Sequence, residues 1–157
     1  SYVFTIAAQF EPRAVKHADT SDAAASLPLH EYADVAALQL PRGCQLVGIE
    51  LLPEGIDLPS FRHPLQAAYV LGAERGSLSP ALLARCDHIV RIPTRFCLNV
   101  AMAGALVMYD RMLSFGRFAE RPVRAGGPTV PQPAHVHGEP IWKRKLRRRL
   151  AAATQDD

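Results

Sequence analysis

Cysteine is scarce in this chain: Cys44, Cys86 and Cys97 are the 3 present in 157 residues. They are odd in number and lack C-x-x-C spacing, which excludes a disulfide framework and a thiolate zinc site. Reduced thiols, mostly in the core, are expected. Long uncharged apolar runs are also lacking. None reaches the roughly eighteen residues a membrane span requires, and no charged-then-apolar leader opens the chain, so a cytoplasmic protein without a membrane partner is expected. Net charge is low, +3, because the excess of cations is confined to one end of the chain. No internal repeat is found, so repeat architectures are set aside.

What is present is enough apolar residue, 48% of the chain, to bury the core of one domain. Hydrophobic patterning alternates between strands and helices. Tyr2 to Ala7 and Gln45 to Leu51 read as strands, the second with the near-continuous apolar character of a strand covered on both faces. Glu31 to Leu38 reads as a helix, and one more is possible between Glu11 and Ser26. Tyr69-Val70-Leu71 is a strand stopped at Gly72, and Glu74-Arg75-Gly76-Ser77 leads to a helix signalled by Ser79-Pro80. His88 to Ile92 is a strand closed by Pro93, and Leu98 to Leu113 reads as a buried helix. The alternation predicts an α/β fold with a parallel sheet flanked by helices, in which two strand ends face one helix start.

The segment from Arg121 to Pro140 has a different character. Pro122, Pro128, Pro131, Pro133 and Pro140, with Gly126, Gly127 and Gly138, prevent a core element there. We read residues 1–120 as the domain, 121–140 as a linker and 141–157 as a basic tail, helical or disordered. His135 and His137, in the linker without Cys or spaced carboxylates, indicate no metal site.

The order V-L-G-x-E-x-G-x-L-S from Val70 to Ser79, then I-P at Ile92-Pro93, then L-N-V-A-x-A from Leu98 to Ala103, resembles the second and third motifs of the SpoU (TrmH-like) branch of the SPOUT RNA methyltransferases. With the connecting elements it spans Gln45 to Leu113. The resemblance implies a trefoil-knotted α/β domain that binds S-adenosylmethionine and methylates a ribose 2′-hydroxyl in tRNA or rRNA, working as a homodimer. It implies cofactor contacts at Gly72, Ile92 and Leu98. Residue chemistry agrees at Gly72, where the missing Cβ lets a ligand lie against the peptide plane at a strand's carboxyl end. Taken alone, Ile92 and Leu98 would be ordinary core residues.

Glu74 and Asn99 are candidates for the reacting site. A loop carboxylate accepts hydrogen bonds from loop amides or substrate, and an Asn at a helix start either presents an amide to ribose or caps its helix. Arg75 and Arg95 lie in the two cofactor loops and suit phosphate; a surface Arg without a partner is the alternative. The family's first motif, an Asn, a Gly-containing turn and an Arg, is not found in residues 1–157. We expect it upstream of residue 1, together with the Arg assigned to activating the hydroxyl, so the base is not placed here. The loop Thr94-Arg95-Phe96-Cys97 is shorter than usual, with Cys97 where Ser is common, and should form a tighter cofactor loop. A second reading is a non-catalytic RNA-binding module that keeps the same shell.

In the tail, Lys143, Arg144, Lys145, Arg147, Arg148 and Arg149 follow Trp142, a composition suited to RNA phosphates. Deleting residues 141–157 should weaken binding to all RNAs alike, since phosphate contacts carry no sequence information. If all these cations touched one strand, the slope of log affinity against log salt would fall by about four, from about 0.7 per contact. Filter binding across a salt series measures it, and an unchanged slope would mean a solvated tail.

Overall fold

The computed structural model of the protein describes residues 1–7, 27–73, 76–116, 118, 121–128, 130, 143, 145, 147 and 151. The chain divides into two compact units, Ser1–Gly116 and Arg117–Asp157. The first unit holds all the strands assigned here: β1 (Val3–Ile6), β2 (Leu29–Tyr32), β3 (Gln45–Ile49), β4 (Ile56–Asp57), β5 (Ala67–Leu71) and β6 (His88–Arg91). Among its described residues the helices are α1 (Pro80–Leu83) and α2 (Val100–Phe115), with a 3-10 turn at Leu58–Ser60. Among the described residues, no helix is long and apolar enough to cross a membrane.

Among the described residues every pairing is parallel, as the alternating pattern predicts, but the strands form two sheets. β1 pairs with β2, and a four-stranded sheet runs β4-β6-β3-β5. β3 lies between β5, with Gln45 opposite Ala67 and Ile49 opposite Leu71, and β6, with Val47 opposite His88 and Ile49 opposite Val90. The Asp87 carboxylate accepts from the Leu46 amide at 2.7 Å and the Asp87 amide donates to the Leu46 carbonyl at 2.8 Å, fixing where β6 joins β3.

Side-chain alternation along β3 and β5 divides the core in two. Leu46, Ala68 and Val70 point to one face, where Leu38, Leu78 and Leu82 cover them and Phe4, Ile6 and Tyr32 pack alongside. Val47, Ile49 and Val90 point to the other, against Leu58, Phe61 and Val107. Gly48 has no room for a side chain, because a Cβ there would meet Cys86 Sγ at 2.9 Å and Ile89 Cδ1 at 3.0 Å.

Two sequence expectations are corrected. Glu31 to Leu38 is not a helix: Leu29–Tyr32 pairs with β1, and the chain then turns where Asp34 accepts from the Ala37 amide at 2.8 Å. With Tyr32 half-buried and His30 and Glu31 exposed, partnership with β1 outweighs a local preference for helix. Residues Leu98 to Leu113 contain a helix, but not a buried one. Val107 is 0% exposed, whereas Met102 is 56% exposed and Leu106, Tyr109 and Leu113 are also exposed. One sheet face covers only one stripe of a helix. Neither the short edge strand β4 nor the 3-10 turn carries enough periodicity to be anticipated from sequence.

α2 is anchored by a polar cluster at its C-terminal half. His63, 4% exposed, contacts the Tyr69 hydroxyl through Nδ1 at 2.6 Å and Asp110 through Nε2 at 2.9 Å. Arg111 donates to the Tyr69 oxygen at 3.0 Å and to the Pro64 and Leu65 carbonyls at 2.7 and 2.8 Å. Because Arg has only donors, the arrangement leaving no donor unmatched has Tyr69 donating to His63 and the imidazole donating to Asp110. Asp110→Ala should therefore destabilise the fold by about 1–3 kcal/mol, by stranding a buried imidazole N–H. Met102→Ala, on the exposed face, should stay within about 0.5 kcal/mol. Urea unfolding of both variants checks the contrast.

Candidate functional site: a cavity at three strand ends

Three adjacent parallel strands, β5, β3 and β6, end at the same level, and a cavity of about 350 Å³ opens there. Open α/β sheets place ligands outside the carboxyl ends of their strands, because the chain leaves in loops that diverge around a concavity. Each strand contributes its last residue or its exit to the wall: Ile49 and Glu50 from β3, Leu71 and Gly72 from β5, Ile92 from β6. The start of α2 closes the opposite side with Val100 and Ala103, and Cys97 and Leu98 precede it. Gly72, Ile92 and Leu98, remote in sequence, thus line one cavity.

At Gly72 the absence of a side chain has a cause inside the protein. A Cβ would stand 2.8 Å from the Gly76 carbonyl oxygen and 3.4 Å from the Leu78 nitrogen, so the loop occupies the side on which a side chain would stand. The Gly76 amide donates to the Ala73 carbonyl at 3.0 Å, closing that loop as a tight turn. Glu74 and Arg75 lie outside the described residues. Ser79 caps α1, its hydroxyl accepting from the Leu82 amide at 3.3 Å, with Pro80 in the first turn as the sequence indicates.

The second loop is organised by Thr94. Its amide donates to the Ile92 carbonyl at 2.8 Å and its hydroxyl to the Phe96 carbonyl at 2.8 Å. The Ile92 carbonyl is thus already engaged within the protein. Arg95 and Phe96 are exposed on this loop, Phe96 at 79%. Asn99 is the N-cap of α2, its side-chain oxygen accepting from the Ala101 and Met102 amides at 2.9 and 3.4 Å; of its two sequence readings, capping is the one with geometry behind it.

Cys44 and Cys86 pack against the core, as expected of mostly core thiols, and Cys97 does not. Cys44 and Cys86 are half-buried, and Cys97, which lines the cavity, is exposed. Burial pushes the Cys44 and Cys86 thiols up from their ordinary pKa, and Asp87 adds to the effect at both. Arg111 opposes it at Cys44, and a backbone hydrogen bond from Gly48 does so at Cys86.

Glu50 is the residue that sequence reasoning missed. It follows the apolar run of β3, and its side chain folds back so that Oε1 accepts from the Leu51 amide at 3.1 Å and Oε2 from the Leu78 amide at 2.8 Å. A half-buried carboxylate on the cavity wall therefore ties the end of β3 to the loop leaving β5. The available signal was a Glu directly at the carboxyl end of an apolar strand, Ile49-Glu50-Leu51.

Among the described residues no group of three or more His, Cys, Asp and Glu could hold a metal ion. Of the tail cations, Lys143, Lys145 and Arg147 are described, all helical, and Arg144, Arg148 and Arg149 lie outside the described residues.

A comparison with curated protein sequences gives no match. Among solved structures, one similar chain is the A. aeolicus TrmH/SpoU tRNA modifying enzyme, 20% identical with a TM-score of 0.46, aligned over 56% of this chain and 48% of that one. This chain thus spans about half the length of that relative. The sequence profile of the SpoU rRNA Methylase family matches residues 2–109. That span reaches from the first strand into α2 and takes in every wall of the cavity, so the chain belongs to the SpoU rRNA methylase family.

Proposed function

We propose that this protein is an S-adenosylmethionine-dependent RNA methyltransferase acting on a ribose 2′-hydroxyl of tRNA or rRNA. The observation that carries the reading is the convergence of Gly72, Ile92 and Leu98 on one cavity. Its volume, about 350 Å³, lies within the roughly 300–1,000 Å³ of small-molecule sites. Its walls are largely backbone and aliphatic surface, the lining an adenosyl group fits. When bound, the cofactor supplies an electrophilic methyl group on a sulfonium centre.

This chain's residues hold and orient. Gly72 brings its peptide plane to the ligand, Ile92 offers the backbone at the exit of β6, and Leu98 with Val100 and Ala103 forms the dry side of the cavity. Asn99 holds the first turn of α2 in place. Excluding water and fixing the approach of a hydroxyl are what such a site contributes to group transfer. Glu74 and Asn99 are candidates near the reacting groups. Activation of the hydroxyl is assigned by resemblance to the Arg of the family's first motif.

RNA is proposed to approach over the Thr94 to Leu98 loop. Exposed Arg95 supplies a fork for phosphate, and the exposed ring of Phe96 supplies a face on which an unpaired base can stack. Arg75 and the cations Lys143, Arg144 and Lys145 are proposed as further phosphate contacts. A homodimer is part of the same reading: Leu65, Met108, Met112 and Phe115 are exposed around Arg111, an apolar face suited to burial against a second copy.

Calorimetric titration with S-adenosylmethionine should show binding that Gly72→Val abolishes, and bound cofactor should slow alkylation of Cys97 at least severalfold while leaving Cys44 and Cys86 unaffected. Binding retained by a folded Gly72→Val protein, or Cys97 unprotected, would count against this cavity. Labelled methyl transfer to RNA, mapped to ribose by resistance to alkaline cleavage, tests the reaction; cofactor binding with RNA binding but no transfer under any condition favours the non-catalytic module.

A further inference from the structure

We infer that Glu50 is a charge-selective binding residue: its carboxylate makes the cavity prefer a cationic sulfonium ligand over the neutral thioether that remains once the methyl group has gone. The inference rests on the proposed cofactor reading and adds to it a residue and a discrimination.

Position is the first argument. Glu50 stands at the exit of β3, the middle of the three strands whose ends form the cavity, and belongs to the cavity wall. Composition is the second. Among the described residues lining the cavity, Glu50 is the only Asp, Glu, Lys or Arg, the remainder being aliphatic, glycine, hydroxyl or thiol side chains. A negative charge beside an apolar wall interacts over several ångströms with little screening, since a cavity filled by ligand admits little water.

Rigidity is the third. Each carboxylate oxygen accepts a backbone amide, Oε1 from Leu51 and Oε2 from Leu78, so the charge is held in place rather than swinging to solvent. A charge fixed before the ligand arrives costs no reorganisation when the ligand binds. Two amides leave further acceptor positions on the carboxylate, so the hydrogen bonds to the loop and attraction to a cation coexist. A merely structural Glu50 would hold the Leu78 loop equally well for either ligand; a charged one distinguishes them.

Affinities of S-adenosylmethionine and S-adenosylhomocysteine, measured by calorimetry on the full chain, test this. The native protein should bind the sulfonium form more tightly by about tenfold. Glu50→Asp should keep a preference, and Glu50→Gln, which can still accept the Leu78 amide, should bring the ratio close to one. An analogue bearing a protonated amine in place of the sulfonium should follow the sulfonium form in all three proteins. Equal loss of both ligands in a folded Glu50→Gln protein, with the ratio preserved, would overturn the inference and leave Glu50 a loop clip. Should Glu50→Gln fail to fold, the native protein decides: a ratio near one, or an amine analogue binding no better than the thioether, overturns it. If neither ligand binds the native protein, the cofactor reading fails and this inference fails with it.

Discussion

The parallel register of β3 between β5 and β6 is the constraint from which the remaining architecture follows. Ile49 stands opposite both Leu71 and Val90, so the three strands finish level and their exits surround one concavity. A slip of one residue would turn Val47 and Ile49 into the face occupied by Leu78 and Leu82, and expose Leu46 to the face of Phe61 and Val107. Register is thus maintained by two hydrophobic clusters at once. The exchange of hydrogen bonds between Asp87 and Leu46 pins it further.

Two polar ties carry that register to the loops and helices. Glu50 links the end of β3 to Leu78, setting how the loop after Gly72 lies over the cavity. The cluster of His63, Tyr69, Asp110 and Arg111 links the connection before β5 to the far end of α2, and so fixes a helix whose near end lines the same cavity. Their partners are buried or half-buried, where an unmatched donor or acceptor is costly. Both ends of α2 are consequently set by side chains rather than by helix propensity: Asn99 at the start, Asp110 and Arg111 near the finish.

The apolar character of α2 serves two surfaces. Val107 closes the core, and the remaining stripe of Met, Leu and aromatic side chains faces outward. A surface of that composition on a helix fixed by polar anchors is geometrically defined, which is what an interface requires.

The sequence by itself determined the parallel α/β character, the strands at Gln45, Tyr69 and His88, and the grouping of Gly72, Ile92 and Leu98, because apolar runs, stopping residues and motif order are local properties. The cap at Ser79 was legible for the same reason. Tertiary structure alone decided that Leu29–Tyr32 would be a strand, since its partner Val3–Ile6 is remote in sequence, and that the strands would divide into two sheets. It also decided that most of α2 would stay exposed, since sequence records apolarity but not which stripe meets a neighbour. Glu50 illustrates the limit: its amide partners include Leu78, twenty-eight residues away, and only the shared level of three strand ends brings that amide, the carboxylate and the cavity wall together.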